Sequence, residues 1–457
     1  MVIKNTLQKN IRTLKKQAVE HVMPLGISIP DYHKKGALIL VKGKGITVTD
    51  IDERSYMDIV AGGNFHLAVG YGRKEIAKVM YEQACQFQSY SPVVAPLPTI
   101  KLAKKLAEIT PGTLSAVFYA NSGSDAVEAA LRLARHYHCF NGQPQRYKVI
   151  SRRHAYHGVT LGAINCTGPD SFTYMRKYAE PILDGVTHVV APYCYRCDLG
   201  KVYPGCGVAC AKEVENEIIR QDPNLVSAFI GEPVFGTAGV IPPVSEYWPI
   251  VRSICDKYGV LMIVDEILTG FGRTGKLFAS EHWHIEPDIM TMGKAINSGY
   301  VPLSATIVKS EIYQKINHFS IAYTHSGHPV GCAAALANIG IIESEDLVNN
   351  SATVGAYLFD GLKTLLKYRI VGDVRGIGLM CAIEIVKNRD TKDRFLVEDR
   401  AAQRVVDRLF KHGVLSRAMG KDIIQIGPSL IFTKSNADIV VSALDKSIKE
   451  VEKELLD

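Results

Sequence analysis

The chain has 457 residues, 47% of them hydrophobic and 22% charged, the composition of an ordinary globular protein. That length exceeds what a single hydrophobic core usually serves, so two packed domains are expected. The formal charge of +7 is thinly spread, and no Lys/Arg run is dense enough for a nucleic-acid footprint.

Residues 1–30 carry Lys4, Lys9, Arg12, Lys15 and Lys16 without a continuous apolar stretch, so no secretory signal is expected. No apolar run nears the roughly 18 residues of a membrane span, and the expected compartment is the cytoplasm. Residues 45–59 alternate, with Ile46, Val48 and Ile51 around an Asp52-Glu53 turn, and predict a small antiparallel meander. The apolar run 117–120 is closed by Asn121-Ser122-Gly123-Ser124. A helix is predicted over 125–138, with Ala126, Val127, Ala130, Leu131 and Ala134 on one face. Three further runs read as buried strands: 226–230, closed by Gly231-Glu232-Pro233, 260–264, ending at Asp265-Glu266, and 289–292, running into Gly293 and Lys294. Strand–helix alternation of this kind predicts an α/β fold with a mostly parallel central sheet covered on both faces. Beyond Gly331 a helix through 333–336, a strand at 380–385, a charged helix at 398–412 and a terminal helix predict a smaller α+β domain. The expected division is 66–330 for the large domain and 331–457 for the small one, with 1–65 contributing to the latter.

In open α/β sheets, ligands bind outside the carboxyl ends of the strands. Four strand ends here deliver Ser122-Gly123-Ser124, Glu232, Asp265 and Lys294 to one such edge. Each piece alone is weak, since Ser-Gly-Ser before a helix is commonly a cap and a lone Gly-Lys is commonly a solvated loop. Together they are what a pyridoxal phosphate site requires. The lysine amine bonds the cofactor as a Schiff base, a carboxylate keeps its pyridine nitrogen protonated, and helix N-terminal N–H groups hold its phosphate.

With these motifs the sequence resembles the class III, or omega, aminotransferases of fold type I, from about Asp50 to Ala443. The most specific stretch is Val264-Asp265-Glu266-Ile267-Leu268-Thr269-Gly270-Phe271-Gly272-Arg273-Thr274-Gly275, followed by Thr291-Met292-Gly293-Lys294. Supporting blocks are Asn121-Ser122-Gly123-Ser124, Tyr156-His157-Gly158, Gly231-Glu232-Pro233-Val234 and Thr324-His325-Ser326-Gly327. The resemblance implies that Lys294 carries the cofactor and moves the Cα proton, and that Asp265 pairs with the pyridinium nitrogen. It implies Ile267 and Tyr156 on opposite ring faces, with His157 beside them in the Tyr-His-Gly motif. Ser122, Gly123 and Ser124 belong to the phosphate cradle, and Glu232 is a nearby hydrogen-bonding residue. Thr324 is expected to reach the phosphate of a neighbouring subunit, which makes the enzyme a homodimer. The implied partners are a small amine donor and an oxo-acid acceptor, exchanged in a ping-pong cycle.

Substrate clues are fewer. Arg417 matches the mobile arginine that this family turns toward a substrate carboxylate, a task that suits a guanidinium's paired donors. Phe65 stands where many relatives carry an aromatic pocket wall, and Tyr90 is expected to line the same pocket. The 4-aminobutyrate branch has a glutamate five residues after the Glu-Pro glutamate; here that position is Thr237, which favours pyruvate over 2-oxoglutarate as acceptor. Gly427-Pro428-Ser429-Leu430 departs from the family's usual double proline. Rival readings are an amino-acid racemase or epimerase, a dialkylglycine-type decarboxylase and a 4-aminobutyrate-type transaminase. A nucleotide-binding ATPase is remote, because in Gly270-Phe271-Gly272-Arg273-Thr274-Gly275-Lys276 the next residue is Leu277, not the Ser or Thr a P-loop needs. Cys194, Cys197, Cys206 and Cys210 have a spacing that can hold zinc, but the spacer is short and no other zinc-module pattern surrounds it, so no metal is assigned.

Overall fold

The structure is a computed structural model that describes residues 2–24, 27–169, 176–180 and 183–456. In chain order, strands β1 (Leu40–Lys44), β2 (Thr47–Asp50) and β3 (Ser55–Asp58) come first. Then follow β4 (Leu114–Ala120), β5 (Lys148–Arg152), β6 (Val186–Val189), β7 (Val226–Gly231), β8 (Leu261–Asp265), β9 (Ile289–Met292) and β10 (Ser304–Lys309). The last are β11 (Val371–Gly376), β12 (Cys381–Ile385), β13 (Val414–Leu415), β14 (Arg417–Met419) and β15 (Ile423–Ile426).

The seven-stranded sheet has the order β4-β10-β9-β8-β7-β5-β6. Its pairs β6–β5, β5–β7, β7–β8 and β8–β9 are parallel, and β10 runs antiparallel to both β9 and β4. Every residue of β7, β8 and β9 is buried, which is why these strands read as unbroken apolar runs. The predicted meander is present as β1-β2-β3, and β13 joins it parallel to β3. Residues near the two ends of the chain therefore share one sheet. A third sheet, β11-β12-β15-β14, is antiparallel throughout. One hydrophobic cluster runs from Ile59 and Val69 through Met290 and Ile307 to Leu444 and Val451, so the large sheet and the C-terminal elements are packed on common ground.

The helix Gly123–Phe140 begins where the sequence places its signal. Ser122 is extended, its Oγ accepts the Asp125 N–H at 3.2 Å, and Asp125 lies in the first turn. Ala126, Val127, Ala130 and Ala134 are buried. Helix Pro329–Ser344 and helix Ala401–Lys411 occupy the expected stretches beyond the large sheet. Among the described residues, no helix is long and apolar enough to cross a membrane.

Candidate active site

The carboxyl ends of β4, β7, β8 and β9 open onto a cavity of about 160 Å3 lined by Gly123, Ser124, Tyr156, Asp265, Ile267 and Lys294, among others. His157, Glu232 and Thr237 also line it. Gly123, Ser124, Glu232, Asp265 and Lys294 are thus gathered in one place, whereas Ser122 is the helix N-cap and does not line the cavity.

Asp265, 4% exposed at the end of β8, accepts three hydrogen bonds: from the His157 ring Nδ1 at 2.7 Å, the Thr291 hydroxyl at 2.9 Å and the Ile267 N–H at 3.1 Å. Thr291 is its register partner on β9, which places the hydroxyl beside the carboxylate. His157 is fully buried; its backbone N–H donates to the Thr167 hydroxyl at 3.0 Å, and its Nε2 has no protein partner among the described residues. Glu232, at the end of β7, accepts the backbone N–H groups of Tyr156 and Gly236, both at 3.0 Å. It therefore pins the Tyr156 loop to the segment that carries Thr237. Burial raises its carboxyl proton affinity above the ordinary value, with the Asp265 charge adding and the His157 ring opposing.

Lys294 follows β9 with a left-handed φ of 45°, a conformation that costs a side-chain-bearing residue energy and recurs at functional sites. Desolvation in the cavity brings its ammonium pKa down to about 8; Arg417 and Arg273 push the same way, against Asp265 and Glu232. A lysine so tuned has a usable lone pair near neutral pH.

Gly123 and Ser124 form the first turn of helix Gly123–Phe140, with N–H groups that have no intrahelical acceptor. A Cβ on Gly123 would sit 3.1 Å from the Ile267 side chain, so the glycine keeps a narrow slot open above that residue. The Ser124 Oγ accepts the Val159 N–H at 3.1 Å, which ties the cradle to the Tyr156-His157-Gly158 loop. This donor set fits a flat anionic cofactor. It offers N–H groups and a helix dipole for a phosphate, apolar Ile267 for a ring face, a carboxylate for a ring nitrogen and an amine for an aldehyde.

Other sequence-selected residues stand elsewhere. Arg417, at the start of β14, donates from Nη1 to the Gly63 carbonyl at 2.9 Å and to the Asn64 side-chain oxygen. Phe65 does not form a cavity wall in this chain. It is 2% exposed, lies under the Arg273 guanidinium with 5.7 Å to the ring centroid, and fills the space beside Gly427. Tyr90 is 60% exposed and Thr324 is exposed in a turn, both outside the cavity. The four cysteines 194, 197, 206 and 210 are all free thiols, and burial lifts that of Cys210 to about 11, with Cys194 and Cys206 adding. Among the described residues, no three His, Cys, Asp or Glu side chains are placed to hold a metal ion.

Sequence reasoning passed over Thr291, Gly63 and Asn64. Thr291 had a signal, being the lone polar residue in the apolar run 289–292. Asn64 had none, because its partner Arg417 is 353 residues away.

Comparison with known proteins agrees with this geometry. The family model Aminotransferase class-III matches residues 29–448. The putrescine–pyruvate aminotransferase of Pseudomonas aeruginosa is 34% identical over 98% of each chain. The diaminobutyrate–2-oxoglutarate transaminase of Halomonas elongata is 36% identical over 90% of each. The omega transaminase of Pseudomonas jessenii, solved in complex with PMP, superposes with a TM-score of 0.93 at 31% identity, covering 97% of this chain and 99% of that one. A fold type I core, a lysine and a carboxylate at one sheet edge, and likeness along nearly the whole length all lead to one conclusion: the chain belongs to the class III aminotransferases, enzymes that work with pyridoxal phosphate.

Proposed function

We propose that this enzyme moves the amino group of an omega-amino acid or other primary amine to an oxo acid, with pyruvate as preferred acceptor. When bound, pyridoxal phosphate supplies an electron sink for the pair left behind as a Cα–H bond breaks. In this reading Lys294 would anchor the cofactor, and its freed Nζ would take the Cα proton from the substrate and hold it for delivery to the cofactor's carbonyl carbon. Asp265, held by His157, Thr291 and Ile267, would pair with the ring nitrogen. Gly123 and Ser124 would hold the phosphate, and Ile267 and Tyr156 would flank the ring. Donor and acceptor use one site in turn, so initial-rate plots should be parallel lines.

The observation that carries the acceptor assignment is Thr237. It lines the cavity where the 4-aminobutyrate branch has a carboxylate to neutralise the acceptor-binding arginine, and its Oγ1 is buried without a hydrogen-bond partner among the described residues. With Thr237 in place of that carboxylate, the Arg417 guanidinium would answer the single carboxylate of pyruvate. The test is a panel of putrescine, taurine, diaminobutyrate and 4-aminobutyrate as donors, each with pyruvate and with 2-oxoglutarate. We expect alanine at a rate at least tenfold above that of glutamate. Cα-proton exchange without any acceptor-dependent product would replace transamination by epimerisation.

The same reading makes the working unit a homodimer in the cytoplasm, with 66–330 as the large domain and 331–457 as the small one joined by 1–65. Tyr81, Phe87, Tyr90, Val93, Val94 and Leu97 are large hydrophobic side chains exposed on one chain, the kind of apolar surface that a second subunit covers. A second copy seated on it would cover Tyr90 and bring Thr324 toward the neighbouring cavity. Light scattering at twice the chain mass is expected.

Lys294 also predicts how the apoenzyme takes up its cofactor. Only the neutral amine attacks an aldehyde, so reconstitution should slow about tenfold per pH unit below the lysine's pKa of about 8 and level off above it. Stopped-flow absorbance of the cofactor band measures this directly. A pH-independent rate between 6 and 9 would show that amine deprotonation does not control attachment.

A further inference from the structure

The segment after β3 does not continue as strand or helix. It makes a wide turn closed by the Phe65 N–H on the Val60 carbonyl at 2.9 Å and the His66 N–H on the Ala61 carbonyl at 3.0 Å. Four of its residues have positive φ: Ala61 (43°), Gly62 (79°), Gly63 (85°) and Phe65 (60°). The glycines accept this freely, but Ala61 and Phe65 do not, so something must hold the turn. Asp58 does much of this, accepting the N–H groups of Val60 at 2.9 Å and Gly62 at 2.6 Å and the Tyr71 hydroxyl at 2.7 Å. The His66 ring sits against Gly62 and Gly299, where a Cβ at either glycine would come within 2.5 Å of it. Arg273 holds the far end, with its guanidinium over the Phe65 ring.

The outcome of this strained turn is directional. Phe65 is driven into the core, and the Gly63 carbonyl and Asn64 side chain are left facing Arg417. Arg417 lies on β14, in a different sheet, and its charge reaches Lys294. We propose that Asn64 is a specificity-determining positioning residue: its side-chain oxygen, with the Gly63 carbonyl, fixes the Arg417 guanidinium in place for the carboxylate of the acceptor. A neutral amide suits that task. It aligns the cation by a charge-assisted hydrogen bond without adding the counter-charge that an aspartate would bring. Phe65 contributes through the turn it buttresses and does not touch substrate. This inference rests on Arg417 being the carboxylate-binding residue.

The test separates the two assignments. Wild type, Asn64→Ala and Arg417→Ala holoenzymes are assayed with pyruvate and with propanal, an acceptor of similar size without the carboxylate. Propionate affinity is measured independently from its perturbation of the cofactor absorbance. Asn64→Ala is expected to raise the KM for pyruvate and the Kd for propionate about fivefold, consistent with loss of one charge-assisted bond while the Gly63 carbonyl remains. The kcat and the propanal reaction should stay within twofold of wild type. Asn64→Asp should weaken propionate further, although it restores the hydrogen bond. If Arg417→Ala loses pyruvate selectively and Asn64→Ala changes neither constant, or changes pyruvate and propanal alike, the role of Asn64 is wrong and that of Arg417 survives. If Arg417→Ala fails to discriminate pyruvate from propanal, the carboxylate assignment itself is wrong.

Discussion

Replacing Lys294 by alanine is expected to lower turnover by at least roughly ten-thousand-fold while leaving the protein folded and able to bind pyridoxal phosphate. Positioned proton transfer accounts for about two to four decades, and covalent anchoring of the cofactor adds to it. At 1.36 kcal/mol per decade, four decades are about 5.4 kcal/mol of barrier. Folding should not suffer. The wild-type lysine is desolvated enough to bring its pKa down to about 8, so the substitution removes a burial cost along with the amine. The Gly123–Ser124 cradle, the Asp265 carboxylate and Ile267 are untouched, so the cofactor should still be retained. Borohydride treatment followed by peptide mass analysis gives the second readout. Wild type should carry the reduced cofactor on the peptide with Lys294, and the variant should carry none. A wild-type adduct on another lysine would move the site.

What could be read in advance, and what could not, follows from where the controlling contacts lie. Strands β7, β8 and β9 were legible because burial on both faces demands unbroken apolar runs, and the polar residues that follow or end them line the cavity. Strands β5 and β10 escaped notice. Ser151 and Arg152 interrupt the first, and both are buried by packing that local sequence does not reveal. In β10 the polar residues have a structural use: Ser304 and Thr306 donate to the carbonyls of Ser122 and Ala126, bracing the start of helix Gly123–Phe140. Phe65 shows the limit most clearly. The family resemblance makes Phe65 a pocket wall, but its direction is decided by a positive φ, by Asp58 seven residues earlier and by Arg273 from another part of the chain. No periodicity carries that information. Arg417 was legible as a charge, and its Asn64 partner was not, because the two meet only through the fold.

The second large effect is expected from Asp265→Asn, which should reduce kcat by about a thousandfold, the size seen when a preorganised electrostatic partner is removed from a water-excluded site. The asparagine preserves shape. Its carbonyl can still accept from Thr291 Oγ1 and the Ile267 N–H, which now reach Asp265 at 2.9 and 3.1 Å. The other side-chain atom becomes an NH2 group facing the His157 Nδ1, now 2.7 Å from the carboxylate. Two donors cannot share that contact, so His157 must shift its proton to Nε2, an atom with no protein partner among the described residues. Most of the lost rate comes from charge, since an amide cannot hold a proton on the ring nitrogen as a carboxylate does, and the buried setting leaves little solvent to compensate. His157→Asn should therefore cost less than Asp265→Asn, because it disturbs the orientation of the carboxylate and keeps its charge. The KM for the amine should change little in either variant, which places the loss in the chemical step. An Asp265→Asn enzyme with bound cofactor and kcat within tenfold of wild type would show that the ring nitrogen does not depend on this carboxylate.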